Sequence, residues 1–103
     1  MVDYELNELR REFLDEAREK VTEMETALDG GRSPESLERL AYLAHQLKGS
    51  GGSYGYQRIS TDAADLEKAV ESLSGSTAAE DPRLAGYVVS LREEIDRASK
   101  ELG

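Results

Sequence analysis

The residues of this chain that could do chemistry are concentrated in one stretch, HQLKGSGGSYG, from His45 to Gly55. His45 is the only histidine among 103 residues, and Lys48 follows it by three positions. The stretch lies inside a 23-residue run, Arg39 to Thr61, that contains no Asp or Glu but includes Arg39, Lys48 and Arg58. The whole chain carries 22 acids, so composition alone would place roughly five in a window of that length. A locally cationic patch around one imidazole is a place for an anion, and phosphate is the obvious candidate.

Imidazole chemistry narrows what the stretch can do. A metal site needs several His or carboxylate ligands, and one histidine among basic neighbours does not supply them, so no metal is expected. A hydrolytic pair of His45 with Ser50 or Ser53 has no orienting acid marked in the sequence and no pocket on a convex helix face. Neutral imidazole is itself a nucleophile near pH 7. It can accept a phosphoryl group and give it up again, with Lys48 offsetting the charge on the phosphoryl oxygens. The rival from another class is an adaptor, a helical bundle that binds a partner protein and in which His45 is incidental.

Such a side chain needs a scaffold, and the apolar pattern supplies one. Leu6, Leu9, Phe13, Ala17, Val21, Met24 and Leu28 recur at spacings of three and four, with Leu14 widening the stripe; this predicts a helix over Asp3 to Leu28. Gly30-Gly31 ends it. Ser33 is a plausible N-cap for a second helix, with Pro34 at its first position and Leu37, Leu40, Ala44 and Leu47 inward. That helix either stops at Gly49 or runs on to Gly55. A third helix is predicted from about Ser60 to Leu73, with Ile59, Ala63, Leu66, Val70 and Leu73 on one face. A polar linker, Ser74 to Asp81, precedes a second cap-then-proline start, Asp81-Pro82, and a fourth helix to about Leu102. Its inward residues are Leu84, Val88, Leu91, Ile95, Ala98 and Leu102.

Four helices with one apolar face each predict an all-α, up-down-up-down antiparallel four-helix bundle in a single domain, residues 1–103. The alternative is a long helical hairpin that pairs the same stripes between two chains. On a helical wheel His45 stands about 100–120° from the apolar stripe, at the edge of the buried face, with Ala41, Lys48, Gly49 and Gly52 on its side. If Gly49, Gly51 and Gly52 are helical, each weakens the helix by about 0.8–1 kcal/mol relative to Ala. A chain that tolerates this needs the bare backbone; in a loop the same glycines cost little.

Composition excludes several classes. A net charge of −9 argues against nucleic-acid or anionic-membrane binding, which need extended basic surface. With no Cys there are no disulfides and no thiolate chemistry. No apolar run approaches a membrane span and no signal peptide opens the chain, so a cytoplasmic protein, monomeric in the bundle reading, is the expectation.

The motif resembles the signature of histidine phosphotransfer (HPt) domains: a histidine, a lysine three later, a glycine four later, small residues, and a glycine ten after the histidine. These are His45, Lys48, Gly49, Ser50 and Gly55, and Ser53 to Tyr56 is similar to the ending found in the phosphoryl-accepting domain of chemotaxis histidine kinases. The match is specific over about eleven residues, and the helix order extends it to the whole chain more weakly. The resemblance implies a bundle whose second helix continues past the glycines. It implies a phosphoryl carrier and not an enzyme. His45 would take the group from a receiver-domain aspartate or a histidine kinase and pass it to a response-regulator aspartate. The resemblance also implies that Mg²⁺ sits in the partner receiver, that Lys48 contacts the phosphoryl group, and that Gly49 and Gly52 shape the docking face. Ala41, Tyr42 and Leu14 are expected docking contacts, and Glu67 is a candidate to orient His45.

Overall fold

The computed structural model describes residues 3–29, 33–72 and 82–102, and side chains from residue 5 onward in the first of these segments. Gly30-Gly31, Leu73, and the Ser74–Asp81 linker with its Asp81 cap lie outside the described residues. Four helices, α1 (Asp3–Asp29), α2 (Pro34–Ser53), α3 (Gln57–Ser72) and α4 (Pro82–Leu102), make up almost all of what is described, with no strand among these residues.

The helices pack α1 on α2, α2 on α3, α3 on α4, and α4 back on α1. This closed ring is the four-helix bundle, 50 Å long and under 20 Å across. The four apolar stripes bury one another within one chain, so the hairpin alternative is not needed to cover them. Leu40, Ala44, Leu47, Ile59, Leu66, Leu84, Leu91 and Ile95 are all essentially inaccessible. Leu43, outside the predicted stripe, joins them, because α2 is covered by both α1 and α3 and buries a wider arc than one stripe. In α3 the buried residue of the last turn is Ala69, with Val70 only partly covered at the rim. Leu9 leaves the stripe and is 47% exposed. One turn nearer the N-terminus than Phe13, it stands where α2 has already turned away.

α2 begins as its sequence predicts. The Ser33 hydroxyl accepts a bond from Ser36 N–H at 3.1 Å, Pro34 fills the first turn, and Leu37 N–H bonds to Ser33 C=O. Its end decides the open question: the helix runs through Gly49, Gly51 and Gly52 to Ser53. There Gly55, at φ +84°, reverses the chain. Gly55 N–H bonds to Gly52 C=O at 3.2 Å and Tyr56 N–H to Gly51 C=O at 2.8 Å, the bond pair of a Schellman stop. Tyr54 and Tyr56 then stack on either side of Phe13, with ring centroids 5.0 and 5.8 Å away, and tie the turn to α1.

α3 starts at Gln57, three residues before the predicted Ser60. Ser60 lies in the first turn of α3, and its hydroxyl donates to Lys48 C=O across the helix pair at 2.8 Å. This clamp brings the backbones close at Gly51, where an added Cβ would meet Ser60 N at 3.1 Å and Ile59 Cγ2 at 3.3 Å. Nothing lies within 4 Å of a Cβ at Gly49. The two glycines should therefore respond oppositely to Ala. Gly49→Ala is expected to add about 0.8–1 kcal/mol of stability from helix propensity. Gly51→Ala gains the same propensity but overpacks a clamped contact, at about 1–3 kcal/mol, and should come out destabilised by about 1 kcal/mol. Urea midpoints of the two variants check this, and a stabilised Gly51→Ala would show that α3 yields.

Candidate functional site

α2 presents His45 on its outer face, with the side chain 63% exposed. The imidazole is not loose. Its Nδ1 lies 2.9 Å from Oε2 of Glu67 on α3, and the other oxygen of that carboxylate, Oε1, accepts from Lys48 Nζ at 2.8 Å. Glu67 itself is 14% exposed, held in the α2–α3 crevice. A carboxylate only accepts, so Nδ1 must carry the proton of this bond, and in the neutral ring the lone pair is then on Nε2. The structure thus brings three of the predicted site residues, His45, Lys48 and Glu67, into one hydrogen-bonded unit.

Glu67 is held below the ordinary glutamate range, first by the Lys48 ammonium and then by the His45 ring nitrogen, against a desolvation that raises it. A carboxyl whose pKa is lower folded than unfolded stabilises the fold above its unfolded value. That contribution is lost as pH falls through the folded value. Glu23 beside Arg39 and Glu25 beside Arg92 are lowered in the same way. Acid should therefore weaken the whole bundle, and the share due to Glu67 is a difference. Between about pH 6 and pH 3, wild type is expected to lose more stability in urea titrations than Glu67→Gln. Equal losses would mean that the Glu67 bonds add nothing to the fold.

The other predicted residues divide. Tyr42, one turn before His45, is 51% exposed; its hydroxyl accepts from Gln46 Nε2, and the Arg39 guanidinium stands over its ring. Ala41 is half-buried beside it. Gly49 and Gly52 are exposed on the strip that His45 occupies, and a Cβ at Gly52 would make only an ordinary contact with Ser60 Oγ at 3.6 Å. Leu14 is a correction. Expected at the docking surface, it is 1% exposed and packed in the core, because α1 turns that residue inward beside Phe13 and Ala17.

The acid-free window also reads differently in space. Arg39 pairs with Glu23 of α1, Lys48 with Glu67 of α3, and Arg58 with Glu94 of α4 at 3.5 Å. Neighbouring helices return the acids that the local sequence lacks. The cation that sequence reasoning missed is Lys20 of α1. It borders an open groove whose other walls are His45, Gln46, Gly49, Ser50, Ser53 and Tyr54. No local signal in α1 could reveal it, since which α1 residue faces His45 depends on the register of α1 against α2. Neither Ser50 nor Ser53 hydrogen-bonds to the imidazole among the described residues, so the nucleophile–base pair of a hydrolase is not assembled. No group of three or more metal-ligating side chains occurs among the described residues.

Known proteins supply a context for this geometry. The chain is 28% identical over 71 residues to the chemotaxis protein CheA of Rhizobium meliloti (strain 1021), a stretch that is 65% of this chain and 9% of that protein. No solved structure matches it significantly. The Hpt domain family matches over residues 8–101, from the first turns of α1 to the end of α4. That span encloses the exposed histidine, its glutamate and lysine, and the bare glycine one turn on, and the chain belongs to the Hpt domain family, the phosphotransfer modules of two-component signalling.

Proposed function

We propose that His45 carries a phosphoryl group on Nε2, taking it from a receiver-domain aspartate or a histidine kinase and passing it to the aspartate of a response regulator. One observation carries this reading: Glu67 holds Nδ1 at 2.9 Å and leaves Nε2 as the nucleophile on an exposed ring. In the receiver route the Nε2 lone pair forms a bond to phosphorus as the P–O bond of the aspartyl phosphate breaks, and the aspartate leaves as carboxylate. Nδ1 keeps its proton, so the ring becomes cationic, and the Glu67 carboxylate beside it offsets that charge. Transfer onward is the reverse step on a second aspartate. Lys48, three residues along the helix, balances Glu67 at rest and stands within a side chain's reach of the phosphoryl oxygens.

The chain is a carrier in this scheme and not the catalyst. The Mg²⁺ of the transfer belongs to the partner receiver, since the one carboxylate beside His45 is already bonded to the imidazole N–H and to the Lys48 ammonium. The docking partner covers Ala41, Tyr42, Gly49 and Gly52. Among the described residues no helix is long and apolar enough to cross a membrane, and we place the exchange in the cytoplasm, where receivers and kinase domains would meet it. The test is incubation with a panel of phosphorylated receivers and Mg²⁺, followed by nitrogen-detected NMR of the imidazole. A phosphoryl group on Nε2 supports the reading. A group on Nδ1, or no labelling across a broad panel that includes a kinase with ATP, overturns it.

A further inference from the structure

We propose that Lys20, on α1, is a second cation, beyond Lys48, that holds the phosphoryl group carried by His45, from the side of the ring that Glu67 does not occupy. The inference rests on the carrier reading and adds to it a residue outside the HQLKGSGGSYG stretch. α2 lies between α1 and α3 in the ring of helices. Nδ1 is held toward α3 by Glu67, while the groove on the α1 flank is bordered by His45 and Lys20 together. The two ring nitrogens diverge widely, so a group on Nε2 is directed away from Glu67.

The cations of the motif region are committed elsewhere. Lys48 is bound to Glu67 at 2.8 Å, and Arg39 is bound to Glu23. Lys20 makes no ion pair within 4 Å among the described residues. Glu16, Glu19 and Glu23 share the adjoining surface with it, so its ammonium lies at the border between an acidic face and the His45 groove. A dianionic phosphoryl group arriving on Nε2 is the strongest acceptor in that groove, and among the described residues that border it Lys20 carries the ammonium. Gln46, Ser50 and Ser53 add neutral donors along the same walls.

The experiment removes the partner protein, so that docking plays no part. Phosphoramidate is the donor: Nε2 bonds to phosphorus, the P–N bond of the donor breaks, and its already protonated nitrogen leaves as ammonia. At low ionic strength Lys20→Gln is expected to label roughly twofold to fivefold more slowly than wild type, the size of an exposed charge pair, with the deficit vanishing at about 0.5 M salt. Lys20→Arg should keep the wild-type rate, and the Lys20 ammonium signal in NMR should shift on phosphorylation. Unchanged thermal midpoints separate this from a folding effect. If wild type labels on His45 but Lys20→Gln labels at the same rate with no ammonium shift, the role of Lys20 is refuted while the carrier reading stands. If wild type does not label at all with either phosphoramidate or phosphorylated receivers, both are overturned.

Discussion

Replacing His45 by Gln is expected to abolish phosphoryl transfer and leave the bundle folded. The chain has one histidine, so no second imidazole can take over. The side chain is 63% exposed on the outer face of α2 and touches the fold through one hydrogen bond, from Nδ1 to Glu67. Losing that bond should cost about 1 kcal/mol or less, the range of exposed polar pairs. Glu67 also keeps Lys48 as a partner. Wild type offered a cognate phosphorylated receiver should gain a label that is lost in acid and kept in base, as a phosphoramidate bond requires. His45→Gln should gain none, with an unchanged helical circular dichroism spectrum. A label that persists in the variant would show that another side chain accepts the group, and the site assigned to His45 would be wrong. A variant that fails to fold would show that the imidazole supports the core, contrary to its exposure.

The sequence carried the bundle and the histidine more fully than the surroundings of the histidine. Stripes at three- and four-residue spacing, with Ser33-Pro34 as a start, are local signals, and the helices follow them closely. The end of α2 is less legible: local sequence leaves Gly49 and Gly55 both open, and the left-handed φ of Gly55 is what ends the helix. Leu9 leaves its stripe because burial at a stripe's end depends on where the neighbouring helices end, while Leu14, which widens that stripe, is too deep in the core for a docking contact. The role of Ser60 has no local signal, because its hydroxyl partner, Lys48 C=O, is twelve residues away. Charge misled most. The window from Arg39 to Thr61 holds no acid, yet Arg39, Lys48 and Arg58 each meet one across a helix interface. Glu67 could be nominated but not weighed from sequence, because its value lies in one carboxylate reaching both His45 and Lys48.

Gly49→Gln should separate docking from chemistry. Gly49 stands one helical turn beyond His45 on the same face. A Cβ there would meet no atom within 4 Å, so no contact inside the protein requires a glycine. The backbone does not require one either, because Gly49 is an ordinary helical residue and, among the described residues, the left-handed glycine is Gly55. Gln is a better helix former than Gly by roughly 0.5–0.8 kcal/mol, so the variant should be slightly more stable. That cost persists in the natural chain, and in the docking we propose the space above Gly49 is where the receiver sits. In-line transfer needs the phosphorus within about 3–3.5 Å of Nε2. A Gln side chain one turn away would hold a receiver off by several ångströms. Transfer from a phosphorylated receiver is expected to fall by about a hundredfold or more, on the order of 2.7 kcal/mol in the barrier. A donor as small as phosphoramidate reaches Nε2 without covering Gly49, and its labelling rate should stay within about twofold of wild type, because neither the His45–Glu67 bond nor Lys48 is disturbed. Equal losses with both donors would mean that the substitution damages the imidazole site itself. A variant that transfers normally from the receiver would show that the partner approaches by another face, and the docking strip of Ala41, Tyr42, Gly49 and Gly52 would have to be abandoned.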